Sequence, residues 1–330
     1  MVAPVVLGVD VEPDDRGRPP GGVAVDGFHA TLEWLEGLRP WLAEATRAPV
    51  SFAWYVRMDP QIAWLTGRPD GLARTIMPAL ERLRRVGDTI GLHTHAGRWD
   101  GRRWVADHGD PAWIERCVRT SADAYASLFG GPCREHRFGD RWSGPVLFDA
   151  LVQTGIAIDL TAEPGQRGLR RLDTTTAATG RIPDYRAAPR EPAPYGDGRL
   201  WLVPLSSADP GPTLPRLRRV VRRLRYLGQP LHRTLLLDRA WSSAAACWDV
   251  AEDRLAEMDQ PYLAFAIRSD LLLRSRADGA RAVLDELVRR PLAGRLRFTD
   301  GDGVVRALGL GSVPAALPVE LRGEEAAAGS

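Results

Sequence analysis

Two rhythms of apolar and polar positions alternate along this chain. Short runs at 5–11, 50–56, 89–95, 135–138 and 156–161 predict strands, the first of them apolar, β-branched and buried. Between them the apolar positions recur at helical spacing. Phe28, Leu32, Leu35, Leu38, Trp41 and Leu42 mark a helix over 27–46, and Ile76, Leu80 and Leu83 mark one over 72–86 that Gly87 ends. Residues 111–129 predict another helix, with Pro111 suited to its first turn, and 144–153 a shorter one. Strands alternating with helices imply a parallel sheet or barrel.

The rhythm stops over 163–199, a stretch rich in Gly, Pro and Arg, and then resumes. Strands are predicted at 200–206, 233–238 and 262–267, and helices at 242–258 and 277–290. Segments 295–299 and 304–308 read as a hairpin or as a strand–helix pair. The expected organisation is one α/β barrel over 1–310, interrupted by an irregular insertion at about 162–199, with a disordered tail over 311–330.

Composition narrows the chemistry. The 330 residues carry a formal net charge of +2, which gives no strong field toward nucleic acid. Every Lys+Arg position is arginine, so Schiff-base lysine chemistry and a P-loop are both excluded. Cys117, Cys133 and Cys247 are widely spaced and form no CxxC pair, so neither a disulfide framework nor a cysteine-rich zinc site is expected. The short apolar run before Asp10 lacks a basic flank and a cleavage pattern, and no run is long enough to span a membrane. The expected address is cytoplasmic.

Three segments carry chemistry. Asp10-Val11-Glu12-Pro13-Asp14-Asp15 follows the first strand directly, and parallel α/β folds place their sites at strand carboxyl ends. Asp10 and Glu12 alternate along the strand and so share a face. Crowded carboxylates call for a cation or an arginine. His93 and His95 end the third strand, also on one face, where two imidazoles can converge on a divalent ion. Arg137, in Arg134-Glu135-His136-Arg137-Phe138-Gly139-Asp140, can hold a carboxylate at the same rim. Carboxylates with two histidines suit metal-assisted hydrolysis, with zinc the first choice of ion.

The order of these segments resembles the polysaccharide deacetylase family (NodB-homology, carbohydrate esterase 4-like), in its HxH subgroup. The resemblance spans roughly 3–270. It rests on Asp10 and Glu12, on Trp54 through Asp59, on Gly87 through His95, on Arg137-Phe138-Gly139, and on Asp159 through Gly165 with Asp184-Tyr185-Arg186 and Pro194-Tyr195. It implies a deformed (β/α) barrel, a divalent metal, and removal of N-acetyl groups from an amino sugar or glycoconjugate precursor. In that pattern Asp10 is the general base, Arg137 orients it, and Glu12 or Asp14 joins His93 and His95 on the metal. The sequence departs from the pattern where Val11 separates the first acids, where Gly97 replaces a second-motif histidine, and where Gly139 stands for a proline. It departs again on the late strand, where Arg268-Ser269-Asp270 replaces a histidine general acid. Arg268 then stabilises an oxyanion, or Asp270 does proton work, or the barrel binds carbohydrate without turnover. Another metal-dependent C–N hydrolysis is a further alternative.

Trp142 at the third motif is a candidate substrate-stacking residue; Trp99, Trp104 and Trp201 fit core packing as well as stacking. Arg216, Arg218, Arg219, Arg222, Arg223 and Arg225 crowd one stretch and could meet an anionic substrate or a membrane face, or simply form a solvated helix face. Nothing in the chain fixes an oligomeric state.

Overall fold

The computed structural model describes residues 2–15, 23–102, 104–140, 142–165, 169–170, 181–182, 189–208, 234–235, 244–271 and 278–311. The basic stretch at 216–225 and the Asp184-Tyr185-Arg186 segment lie outside the described residues.

Nine strands form the main sheet: β1 (Ala3–Val11), β2 (Ala53–Arg57), β3 (Thr89–Thr94), β4 (Glu135–Phe138), β5 (Ile158–Asp159), β6 (Ala193–Tyr195), β7 (Leu200–Leu202), β8 (Leu263–Arg268) and β9 (Leu296–Thr299). Their spatial order is β6-β7-β5-β4-β3-β2-β1-β8, and β9 also pairs with β1. All contacts are parallel except β6 with β7. The sheet curls into a barrel-like shape. Past β7 the chain bonds first to β5, through Val203 N–H on Asp159 O at 2.8 Å, and then to β8, through Ser206 N–H on Ala264 O at 2.8 Å. One irregular segment therefore bridges the two sides of the curl, and this is where the barrel is deformed.

The strand residues alternate between two cores. Val5, Leu7, Val9 and Val11 of β1, Trp54 and Val56 of β2, Leu92 of β3 and Phe138 of β4 face outward. They pack under helices α1 (Asp26–Thr46), α4 (Met77–Arg85), α5 (Pro111–Phe129), α7 (Ala244–Glu257) and α8 (Asp278–Val288). Phe28, Leu32, Leu35, Leu38 and Leu42 supply the face of α1, as their spacing predicts, whereas Trp41, grouped with them in the sequence, falls off that face and is exposed. The opposite face is smaller: Val6, Ala53, Tyr55, Ala157, Trp201 and Ala264 line the interior. Because β1 is buried on both faces, its apolar run is nearly continuous, and polar residues enter only at its end.

Several boundaries differ from the sequence reading. The helix expected over 72–86 is two: α3 (Gly71–Thr75) ends at Ile76, and α4 restarts with Pro78 in its first turn, where the missing N–H costs nothing. Between β2 and α3 lies α2 (Pro60–Thr66), whose first N–H groups are capped by the Asp59 carboxylate. After α6 (Pro145–Gln153), the strand expected over 156–161 is only Ile158–Asp159. The last pair is strand then helix, β9 and α9 (Gly301–Ala307), and β9 runs parallel to β1. The three cysteines are free and buried. Among the described residues, no helix is long and apolar enough to cross a membrane.

Candidate metal centre

Register brings the chemical residues together. Asp10 stands beside Tyr55 and Arg268, Arg57 beside His93, and His93 beside Arg137. Asp10, Arg57, His93, Arg137 and Arg268 therefore sit at the carboxyl ends of five neighbouring strands, in the inward phase.

Glu12 Oε1 lies 3.2 Å from His95 Nε2 and 3.4 Å from His93 Nε2, and the two Nε2 atoms are 3.0 Å apart. All three residues are buried. The other ring nitrogens are committed. His93 Nδ1 donates to the Arg137 carbonyl at 2.7 Å, and His95 Nδ1 donates to Asp140 at 3.1 Å. Each imidazole is thereby held in the tautomer that turns its Nε2 lone pair inward. Two facing lone pairs and a carboxylate oxygen repel unless a cation lies between them. Burial and Arg57 oppose charge on His95, but Asp140 and Glu12 outweigh them and raise its pKa above the ordinary imidazole value. The field that would draw a proton there draws a metal ion equally. Tetrahedral zinc with bonds of about 2.0–2.2 Å needs ligand atoms about 3.3 Å apart. Glu12, His93 and His95 fit that requirement.

Arg57 is a residue the sequence reading did not single out. Its side chain is wholly buried. It donates to Glu12 Oε2 at 3.1 Å, to Asp59 Oδ2 at 2.6 Å, and to Gln61 Oε1. The Glu12 carboxylate is thus divided, with Oε2 on the guanidinium and Oε1 toward the histidines. Burial opposes the charge on Arg57, but Asp59 and Glu12 push its pKa up. Asp59 also accepts the His95 backbone N–H at 3.0 Å, so one carboxylate fixes both α2 and the second histidine. The signal for Arg57 was its phase: a charge ending an apolar strand, two residues beyond inward-facing Tyr55.

Arg137 Nε donates to both oxygens of Asp10, at 2.8 and 3.0 Å, and its Nη1 donates to Leu160 O at 2.9 Å. The predicted pairing of Arg137 with Asp10 is thus present. Asp140, also missed, adopts φ 54° to aim its carboxylate at His95. The glycine before it is required by close approach, since a Cβ at Gly139 would overlap the His95 ring. That is the physical reason for glycine at this motif position.

Asp14 does not join the cluster. Its carboxylate accepts the Gly27 N–H at 3.1 Å, at the start of α1, as the turn after Pro13 carries it off the strand axis. Burial raises its pKa despite that bond. Arg268 holds Asp270 side-on, with Nε on Oδ1 at 3.0 Å and Nη2 on Oδ2 at 2.7 Å, and lies 4.0 Å from Glu12 Oε1. Trp142 is half-buried, stacked on His108 at 5.3 Å and packed on Phe138 at 5.5 Å. Trp201 belongs to the interior core. Trp99 stacks on Trp64 at 5.3 Å in a hairpin beyond His95.

The site thus offers three converging ligand atoms, an oriented carboxylate beside them, and three arginines. No protein-family model and no curated protein matches the chain. Solved structures do resemble it in outline. A Mycobacterium smegmatis protein assigned as a polysaccharide deacetylase is 13% identical, with TM-score 0.48 over 96% of this chain and 94% of that one. The 4-alpha-glucanotransferase of Thermococcus litoralis is 11% identical, with TM-score 0.49 over 93% of this chain and 40% of that one. A family 4 acetyl xylan esterase from Clostridium thermocellum, solved with a cobalt ion, is 10% identical, with TM-score 0.41 over 93% and 92%. Likeness at this level carries no functional argument, which rests instead on the side chains of this chain.

Proposed function

We propose that this protein is a metal-dependent deacetylase of the polysaccharide deacetylase type, acting on an acetylated sugar or glycoconjugate, with the N-acetyl group as the first candidate bond. The observation that carries the reading is the buried triangle of Glu12 Oε1, His93 Nε2 and His95 Nε2 beside the Arg137-held Asp10. A divalent ion, zinc in the first instance, would be held by those three atoms and would supply Lewis-acid polarisation of the acyl carbonyl. Asp10 takes the proton of the attacking water as general base. Arg137 keeps Asp10 in one orientation, and Asp140 and the Arg137 carbonyl keep the imidazoles in the ligating tautomer.

Elemental analysis and acetate release, measured together on zinc-exposed protein and on a His93→Ala/His95→Ala variant, test this reading. About one ion per chain and acetate release, both lost in the variant, are expected. Acetate release that survives the double substitution refutes the mechanism. A bound metal without release from any acetylated glycan would instead assign a carbohydrate-binding barrel.

A further inference from the structure

A carboxylate ligand carries two oxygens, and a buried oxygen needs a partner. If both Glu12 oxygens turned to one ion, they and the two imidazoles would fill the four positions of tetrahedral zinc. Nothing would remain for water or substrate. A catalytic zinc keeps three protein ligand atoms and one open position. The geometry around Glu12 bears directly on which of these two cases holds.

Glu12 Oε2 accepts from Arg57 Nη1 at 3.1 Å, whereas Oε1 faces the two Nε2 atoms at 3.2 and 3.4 Å. The guanidinium has no freedom to follow a rotating carboxylate. Its Nε donates to Asp59 Oδ2 at 2.6 Å, its Nη2 donates to Asp59 Oδ1 at 3.3 Å and to Gln61 Oε1, and its side chain is wholly buried. Asp59 is fixed in turn, because Oδ1 accepts the Gln61 and Ile62 N–H groups at the start of α2, at 2.9 and 3.2 Å. The main chain of Glu12 is pinned as well, with its N–H donating to Ser269 Oγ at 3.0 Å. Arg268, the other arginine near Glu12, stays 4.0 Å from Oε1 and is tied to Asp270, so it does not take the ligand oxygen. Packing gives no reason for an arginine here, since a buried ion pair is seldom more stable than an apolar pair of the same volume.

We propose that Arg57 is a positioning residue that restricts Glu12 to a single ligand oxygen and thereby keeps a fourth metal position open. This rests on the metal centre of the reading above, but it concerns how the ion is held and needs no substrate. The guanidinium also draws charge from the carboxylate, so the site holds its ion less tightly than its three ligands alone would. The sign of the effect separates this role from a structural one. An arginine that only supported the fold would, on removal, loosen the ligands and weaken the metal, as the loss of an orienting partner does. Removal of Arg57 in the proposed role releases Oε2 in a buried site, where the ion becomes its strongest partner, and the metal is bound more tightly.

The experiment compares the full chain with Arg57→Met/Asp59→Asn, which removes one positive and one negative charge and leaves the net charge of the site unchanged. Zinc affinity is read by competition with a chelator. Azide is titrated into the cobalt(II)-loaded proteins, and the visible spectrum reports whether a metal position is open. The parent is expected to take azide. The double variant should bind zinc about tenfold more tightly and take azide about tenfold more weakly. Asp59→Asn alone, which keeps Arg57 on Glu12, should show no tightening. Zinc affinity in the double variant within twofold of the parent, or weaker, overturns the proposal, as does unchanged azide affinity. A crystal structure of the zinc-loaded parent needs no variant and decides the point even if the double variant does not fold. Glu12 bonded to the ion through Oε1 with Oε2 still on Arg57 is expected, and both oxygens at bonding distance from the ion overturn the proposal. A parent that binds no ion removes the deacetylase reading and this inference together, whereas a metal-bound parent with an unaltered variant removes this inference alone.

Discussion

Four adjacent strands each place two inward residues one above the other, and the two layers solve the burial of charge in opposite ways. The upper layer holds Asp10, Arg57, His93 and Arg137. The lower holds Gly8, Tyr55, Gly91 and Glu135, two positions earlier on the same strands. In the upper layer, charges are buried against opposite charges: Arg57 with Glu12 and Asp59, and Arg137 with Asp10. In the lower layer one carboxyl has no arginine on it among the described residues. Glu135 accepts the Tyr55 hydroxyl at 3.1 Å and the Asp302 N–H at 3.0 Å. Burial, aided by the Asp300 charge, pushes its pKa up to about 8. Tyr55 fits there because Gly91 has no Cβ, which would stand 2.6 Å from the ring. One layer pairs its buried ions and turns imidazole and carboxylate atoms toward a cation, and the other keeps its acid protonated and acts as floor. Position along a strand, not residue type, separates the two roles.

The contrast can be broken most strongly at Arg57. Arg57→Met leaves Glu12 and Asp59 buried without their cation and should cost about 3–5 kcal/mol of stability, read by urea unfolding. Arg57→Met/Asp59→Asn should recover part of that loss. Additive effects would show that the upper layer is not held by ion pairing.

A smaller effect belongs to the floor. Folded Glu135 keeps its proton to about pH 8, whereas the unfolded chain releases it near the ordinary value of 4.5. Between those values the folded state binds more protons, so stability should fall as pH rises through the window and level off above it. A loss on the order of 2 kcal/mol from pH 6 to 8 is expected, and Glu135→Gln should flatten the profile. An unchanged slope in the variant would assign the pH dependence elsewhere.

The smallest effect is expected at Asp140, which touches a ligand but is not one. Asp140→Ala should weaken zinc binding about tenfold in a competitive chelator titration and leave thermal unfolding of the metal-free protein nearly unchanged. A full-strength site in the variant would mean that His95 is oriented by Asp59 alone.

The sequence by itself determined the alternation of strands and helices, because periodicity reports burial directly: β4 and α5 begin and end where the pattern places them. It also determined that Asp10 shares a face with Glu12, and His93 with His95, since side chains two apart on a strand lie on one side. The tertiary structure alone decided which acid joins the histidines. Glu12 stays on the strand axis while Asp14, past Pro13, turns to cap α1, and a linear pattern gives both the same standing. Only the fold revealed Arg57 and Asp140, whose partners Glu12 and His95 lie 45 residues away in each case. Only register across β1 and β8 set Arg268 beside Glu12 and gave Asp270 to it as a mount. Local pattern fixes which way a side chain points. What it meets there depends on strand order and register, which emerge when distant segments pack together.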